Sequence, residues 1–590
     1  MKLGPSKGTY FFRPSGREIL NSETVEIADE PTWFGSPESP LFGWISHPKS
    51  AAVRGRVVIV PSVGYEARSA KAAMRYLAWS LARSGFIALR FDFRGTGDSC
   101  GDFGDYLPGT DWINDTVSAI KFVQADDSRP VSIVGFRLGA TIAAATISNP
   151  TIDIGSLVLW DPCESGWGYL RELRALESLR REMPIGDEDG SVETTEFLFP
   201  EDMVSSLRSI KLNSLLQSEN VERTLVITRT ARPLSTTLRE QLEMKGAAFA
   251  TTDEQEKLLE VSPFEAAIPH ATTAATVAWL SDTDFQSTTV PPPTPTIEAL
   301  LPTKSDEHTI RERALFLDEL GIFAFFCEPV GPHTGPWIVM IGNVDDDHTG
   351  QSRIWVELSR RWAQTGLRCV RVDLSGLGES SRPNQAPMVE HFDSRWIRDV
   401  VALAPFLDPE DPTNVVFVGF CASATFAMEG ALAVNAKGVC LINPAPGRNL
   451  SHAIYRLKES PSRLSGIVAM RLSQLLLNHP WVATNAWETL RRGFPGRWSK
   501  DILQEIEEAG TDILVLSNAE DRTVFRCEGY VRSIREFKSN ITRNFQFRQV
   551  PDLDHEMTVA AGRSRTVKLL EDHITSTFIS IEVNSGVAEI

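Results

Sequence analysis

The chain has 590 residues, which is more than a single hydrophobic core ordinarily serves, so at least two domains are expected. Its formal net charge of −18 argues against a protein that binds nucleic acid through its phosphates. The first residues lack the apolar core of a signal peptide, and no later run is long and apolar enough to span a bilayer, so we expect a cytoplasmic protein without a membrane partner. The seven cysteines are odd in number and scattered, and no phosphate-binding loop is present. We therefore expect no disulfide framework, no metal site and no cofactor.

The first half of the chain alternates apolar strands with helical segments. Its landmarks are a strand with a glycine-rich turn at 90–99, a strand that turns into a helix at Val134–Gly139 with Arg137 at the turn, the strands Leu157–Trp160 and Thr224–Thr228, and Pro269–His270. Continuous apolar strands alternating with helices predict an α/β fold with a parallel sheet covered on both faces.

A proline-rich stretch at residues 287–296 divides the chain. Such a segment is extended and semi-rigid. We therefore predict a first domain at 1–285, a linker at 286–305 and a second domain at 306–590.

The second half repeats the alternation. Its predicted strands are Trp337–Ile341, the run before the glycine-rich turn at 371–380, Val415–Val418, Ile513–Leu516 and Phe545–Val550. The run Asp345–His348 follows the first of these strands. Its three carboxylates are expected to point outward or to meet a cationic part of a substrate, with a metal site as the alternative.

Landmarks of the two halves keep a nearly constant spacing, which predicts an internal duplication. Asp92 and Asp373 differ by 281 positions (373 − 92), Arg137 and Cys421 by 284 (421 − 137), and His270 and His555 by 285 (555 − 270). Three landmarks that stay in register within four residues favour two copies of one architecture.

The segment Gly419-Phe420-Cys421-Ala422-Ser423 places a cysteine between a buried strand and a helix of small residues. It resembles the nucleophile elbow, G-x-Nu-x-G, of the α/β-hydrolase fold, although cysteine replaces serine and Ser423 replaces the second glycine. The R-x-D-x-x-G-x-G-x-S turns are similar to those of serine-aminopeptidase and acyl-esterase members. The resemblance implies two tandem α/β-hydrolase domains, each a mostly parallel sheet covered by helices with a helical cap, which in the second domain spans about 443–510.

The resemblance also implies a catalytic set in the second domain. In the chain order of this fold, Cys421 is the nucleophile, Asp521 the acid and His555 the base. A thiol needs a neighbouring imidazole and the positive end of a helix to become a thiolate at neutral pH. The oxyanion-hole donors would be the backbone N–H groups of Ala422 and of Asn343 or Val344.

The first half cannot carry the same chemistry, because Arg137 stands at the turn. A guanidinium stays protonated and has no lone pair for attack. No carboxylate follows Thr224–Thr228, so His270 is left without its set. We predict a degenerate copy in which Arg137 binds an anionic group or pairs with Asp161.

Three functions remain open at this stage. The first is an esterase or thioesterase that forms an acyl-cysteine from a small-molecule acyl ester or thioester. The second is a biosynthetic acyltransferase that releases the acyl group to an amine or alcohol, with the first half docking a carrier protein. The third is a non-catalytic binding or scaffold protein, against which the retention of Asp521 and His555 argues.

Overall fold

The computed structural model describes residues 25–49, 52–125, 127–180, 190–217, 220–261, 266–282, 288–302, 309–343, 346–381, 394–444, 505–518 and 544–579. The chain divides into two compact units, Met1–Pro302 and Thr303–Ile590, and this boundary falls within residues 286–305. None of the helices in these ranges combines the length and apolarity needed to cross a bilayer.

The first unit is built from strands and helices in alternation. The strands are β1 (Ile27–Ser36), β2 (Ser39–Pro48), β3 (Gly55–Val60), β4 (Phe86–Phe91), β5 (Val131–Phe136), β6 (Ile154–Trp160), β7 (Val192–Glu193), β8 (Leu198–Phe199), β9 (Val221–Thr228), β10 (Ala248–Thr251) and β11 (Glu298–Leu301). The helices are α1 (Gly64–Arg83), α2 (Ile113–Gln124), α3 (Leu138–Thr146), α4 (Gly166–Arg180), α5 (Glu201–Ser209), α6 (Thr236–Met244), α7 (Glu256–Leu259) and α8 (His270–Ser281). Short helical turns cover Pro108–Trp112 and Leu212–Gln217.

The second unit follows the same plan. Its strands are β12 (Ile310–Leu317), β13 (Ile322–Pro329), β14 (Trp337–Ile341), β15 (Arg368–Asp373), β16 (Val415–Phe420), β17 (Gly438–Ile442), β18 (Asp512–Ser517) and β19 (Phe545–Gln549). Its helices are α9 (Ile354–Gln364), α10 (Ser394–Leu407), α11 (Ala422–Val434) and α12 (Ala560–Phe578), with short turns at Gln351–Arg353 and Gly378–Ser380. Of the predicted cap, residues 445–504 lie outside the described part of the chain.

Eight strands follow the same order in both sheets. It is β1-β2-β4-β3-β5-β6-β9-β10 in the first unit and β12-β13-β15-β14-β16-β17-β18-β19 in the second. The first two pairings of each sheet are antiparallel and the following ones are parallel. The carboxyl ends of the parallel strands, and the loops that follow them, therefore share one edge of each sheet.

Apolar strands buried on both faces create these sheets. Every residue of β16 is buried, and the sequence Val-Val-Phe-Val-Gly-Phe shows no polar alternation. In β3, Val58 and Val60 belong to one hydrophobic cluster, whereas Val57 and Ile59 belong to the cluster on the other side of the sheet. Such strands require helices on both faces, which confirms the predicted class of two α/β domains with mostly parallel sheets.

Candidate functional site

Cys421 occupies a sharp turn between β16 and α11. Its backbone angles, φ 51° and ψ −115°, are rare for a residue with a side chain, and such strain often marks a functional position. The turn needs Gly419, since a Cβ there would lie 2.7 Å from the Cα of Ala424. The backbone thus sets the cysteine at the edge where the parallel strands end.

Ser423 replaces the second glycine of the elbow pattern without disturbing the turn. Its Oγ donates to the carbonyl oxygen of Phe420 at 2.9 Å and accepts from the N–H of the same residue at 2.9 Å. The hydroxyl is buried, and both its contacts lie within the turn. The serine side chain therefore stabilises the turn of the elbow, which accounts for the departure from glycine.

His555 lies in the loop after β19 and reaches the cysteine. Its Nε2 is 3.3 Å from the Sγ of Cys421, so the structure brings together two residues that are 134 positions apart. Both side chains are half-buried. By contrast, Cys163, Cys327, Cys369 and Cys440 are buried, and burial raises the pKa of each of these thiols. Among the cysteines that the structure describes, Cys421 alone combines partial exposure with an adjacent imidazole.

The predicted acid, Asp521, lies outside the described residues, and its role stays a prediction. The strand before it, β18, ends at Ser517, and Asn518 follows in the buried edge of the sheet. The side chain of Asn443, which the sequence did not single out, contacts both Asn518 and the His555 loop.

The predicted oxyanion-hole donors lie at the start of α11 and in the loop after β14. Ala422 is the first residue of α11, so its N–H has no acceptor within the helix. In the neighbouring strand β14, Met340 pairs with Val418, and Asn343 follows that strand in the next loop. The Asn343 N–H donates to the carbonyl oxygen of Asp346 at 2.7 Å, so this amide is engaged within its own loop. Val344, the other predicted donor, lies outside the described residues.

The acidic residues after β14 take part in the internal contacts of their loop. Asp346 is buried, so the expectation that these carboxylates point outward is wrong for this residue. Asp347 accepts hydrogen bonds from the N–H and Oγ1 of Thr349 at 2.9 and 2.6 Å. Within the described ranges, no three His, Cys, Asp or Glu side chains are placed to hold a metal ion.

His348 anchors this loop to β15. Its N–H donates to Asp373 at 2.6 Å, and its Nδ1 lies 2.8 Å from the other carboxylate oxygen of Asp373. Both side chains are fully buried; burial raises the pKa of Asp373, and the His348 charge opposes that rise. The loop thus has a fixed attachment two strands away from Cys421.

Arg137 stands at the equivalent turn of the first unit, between β5 and α3. Its backbone angles, φ 54° and ψ −119°, are within a few degrees of those of Cys421. Its guanidinium is buried and lies 3.0 Å from Glu66, 3.3 Å from Asp161 and 2.8 Å from Glu172. The two units therefore share one backbone turn and differ in the chemistry at its apex.

Two family models match the chain. The alpha/beta hydrolase family model covers residues 335–563, and that of serine aminopeptidase, S33, covers residues 51–181. Together with the two sheets described above, these matches show two domains of the α/β-hydrolase fold.

The solved structures that match part of the chain include esterases and a thioesterase domain. The Pyrococcus furiosus esterase Pf2001 is 17% identical, covering 47% of this chain and 98% of its own at a TM-score of 0.30. Est1E from Butyrivibrio proteoclasticus, with ferulic acid bound, is 14% identical over 42% and 97%, at a TM-score of 0.32. A thioesterase domain from the curacin biosynthetic pathway is 14% identical over 43% and 100%, at a TM-score of 0.29. The search of curated proteins gave no match.

In the first α/β-hydrolase domain, His270 does not join Arg137. It is the exposed first residue of α8, and its ring contacts Tyr76 of α1 at a centroid distance of 4.8 Å. Tyr76 lies ten residues beyond Glu66, the partner of Arg137, which is about 15 Å along the helix. The partners of Arg137 and His270 thus lie on different turns of α1, and the assignment of both residues to one degenerate site stays a prediction.

The guanidinium of Arg137 is engaged in ion pairs. Asp161 is one of its partners, as one of the two sequence alternatives predicts, and Asp161 also lies 2.9 Å from the Nε of Arg229. Burial raises the pKa of Glu66, and the Arg137 charge opposes that rise. An anionic ligand would have to compete with three carboxylates for this guanidinium, which argues against the alternative of an anion site.

Arg137→Met should lower the free energy of unfolding by about 3–5 kcal/mol, because it leaves the buried Glu66 carboxylate without its cation. Urea unfolding of the full chain measures the change. Lys49→Met is the matched control in the same domain: it removes an exposed pair with Glu26 and should cost less than about 1 kcal/mol. Equal unfolding midpoints for the two variants would contradict a structural ion-pair cluster.

Proposed function

We propose that the second α/β-hydrolase domain is a cysteine-dependent acyl hydrolase that acts on a small-molecule ester or thioester through an acyl-cysteine intermediate. One observation carries the proposal: a strained elbow holds the Sγ of Cys421 at 3.3 Å from the Nε2 of His555. A nucleophile and a base within such reach are the core of covalent acyl transfer on this fold.

The chemistry begins with a proton transfer. His555 takes the thiol proton at Nε2, and Cys421 lies at the start of α11, where the helix N-terminus carries partial positive charge. The thiolate forms a bond to the carbonyl carbon, and the carbonyl electron pair moves onto oxygen. Asp521, as the proposed acid, would hold the other ring nitrogen of His555 and stabilise the imidazolium.

Collapse of the tetrahedral species breaks the bond to the leaving group. The returning electron pair rebuilds the carbonyl, and the leaving alkoxide or thiolate takes the proton from His555. Water then attacks the acyl-cysteine with His555 as base, which releases the acid and restores the thiol. The Ala422 N–H and a donor from the loop after β14 would stabilise both oxyanions, at roughly 3 kcal/mol each.

An acyltransferase is the second candidate, and the cysteine at the apex favours it. Because an acyl-cysteine is itself a thioester, exchange with a thioester substrate is nearly balanced in energy. An amine or alcohol could replace water in the second step. The first domain would then be a non-catalytic partner, with the docking of a carrier protein as its proposed role.

We further infer that the chain arose by tandem duplication. The shared strand order and the matching elbow angles of Arg137 and Cys421 support this origin. With arginine at the apex, the first copy has no nucleophile there. Its proposed role is non-catalytic.

The test is adduct mapping on the intact protein. The full chain is incubated with p-nitrophenyl acetate or a short acyl thioester, and the modified peptide is identified by mass spectrometry. We expect one acetyl group on Cys421 and none on the other six cysteines. Decay of the adduct in water indicates a hydrolase, whereas decay only with added amine indicates a transferase. Absence of any adduct, together with alkylation of Cys421 by iodoacetamide no faster than that of the other cysteines, would overturn the proposal in favour of a binding protein.

A further inference from the structure

Asn443 directly follows β17 and is fully buried at the edge of the sheet where the parallel strands end. Its backbone is left-handed, with φ 41°, a conformation that asparagine tolerates better than most residues. Its N–H donates to the carbonyl oxygen of Leu516 in β18 at 2.8 Å. The backbone therefore places this residue between two strands independently of its side-chain contacts.

The side-chain amide of Asn443 joins two loops. Its Nδ2 donates to the carbonyl oxygens of Asp554 and His555, both at 2.9 Å. Its Oδ1 accepts from the N–H of Asn518 at 2.9 Å. The opposite orientation of the amide would set an oxygen against two carbonyl oxygens, so these contacts define the orientation. Only a side chain with donors on one side and an acceptor on the other satisfies both loops.

The first domain has aspartate at the equivalent position. Asp161 follows β6 with φ 48°, and its N–H donates to Ile227 at 2.7 Å, as that of Asn443 does to Leu516. Its carboxylate pairs with Arg137 and Arg229 instead of with backbone groups. The fold thus accepts aspartate or asparagine here, and the amide occurs in the domain that has the cysteine and histidine.

We propose that Asn443 is a positioning residue, which holds the His555 loop against the loop that leads to the proposed acid. The inference rests on the proposed function, because it needs His555 as the base. With the carbonyl oxygens of residues 554 and 555 both held, the imidazole stays within reach of Cys421. A displacement of about 1 Å at a reacting group can cost on the order of 100-fold in rate.

Asn443→Asp and Asn443→Ala test this role in the full chain. The aspartate can still accept from Asn518, but it sets a carboxylate oxygen against two carbonyl oxygens. We expect kcat for p-nitrophenyl acetate to fall roughly 10- to 100-fold with KM changed less than about threefold. Alkylation of Cys421 by iodoacetamide should slow at pH 7 and match the wild-type rate at pH 10, where a thiol ionises without a base.

Asn435→Ala is the matched control. Asn435 also has a left-handed backbone, with φ 52°, but it is exposed at the end of α11. We expect wild-type kinetics for it. The positioning role is wrong if both Asn443 variants keep the wild-type kcat, or if their Cys421 is alkylated slowly at pH 10 as well as at pH 7. Either result contradicts the positioning role alone, provided that the wild type forms its adduct. If the wild type itself forms no adduct, the proposed function has failed instead.

Discussion

Cys421→Ala should remove the covalent acyl adduct and lower the turnover of p-nitrophenyl acetate by on the order of 10⁴-fold or more. The reason is that Cys421 is the proposed nucleophile at the apex of the elbow, with its Sγ 3.3 Å from the Nε2 of His555. Alanine keeps the left-handed turn and the helix N-terminus but has no group that can attack a carbonyl. Steady-state kinetics and intact mass measure the two losses in the same samples.

Two further variants make this result specific. Cys440→Ala removes a cysteine that is buried in β17, and it should acylate as the wild type does. Cys421→Ser keeps a small nucleophile at the apex, and it should react more slowly than the wild type because a hydroxyl ionises less readily than a thiol. Wild-type turnover by Cys421→Ala would show that the catalytic nucleophile is a different residue.

The strands at the edge of the site could be predicted because they are short apolar runs. Trp337–Ile341 is β14 with the same bounds, and Val415–Val418 extends by two residues to Phe420 in β16. The helix after the elbow begins at Ala422 as predicted. Apolar runs of this kind determine where the strands of the sheet lie in the sequence. They therefore also determine the order in which the loops at the edge of the sheet follow along the chain. The contact between Cys421 and His555 follows from that order.

Contacts between distant loops could not be predicted in the same way. Asn443 meets Asn518 and His555, which are 75 and 112 positions further along the chain. Nothing local to the sequence Ile442-Asn443-Pro444 reveals these partners. A comparison of the two halves offers the one available signal, since polar residues, Asp161 and Asn443, follow the strand after each elbow.

His270 shows where a repeat argument fails. Its spacing from His555 matches the period of the proposed duplication, yet it begins α8 instead of ending a loop. Glu254 accepts hydrogen bonds from the N–H groups of Ala271 and Thr272, so the first turn of the helix is stabilised at this point. Sequence spacing gives the position along the chain, whereas the start of the helix decides where the ring lies.

His555→Gln should lower the rate of Cys421 acylation by on the order of 10³-fold, with a similar direction of change for alkylation by iodoacetamide at pH 7. Glutamine approximates the length of the imidazole but cannot take a proton from the thiol. Without that transfer no base assists the attack by the thiol, and the leaving group has no acid. Stopped-flow release of p-nitrophenol reports the acylation step directly.

His573→Gln is the control for this change. His573 is a buried histidine of α12 in the same domain, and its Nε2 lies 2.7 Å from Asp512. Its loss should reduce stability while acylation of the folded protein continues at the wild-type rate. If His555→Gln and His573→Gln slow acylation equally, the effect of His555 is structural, and the base must be sought elsewhere. If only His555→Gln is slow at pH 7 and alkaline pH restores its alkylation, the imidazole acts on the thiol proton, as the 3.3 Å contact predicts.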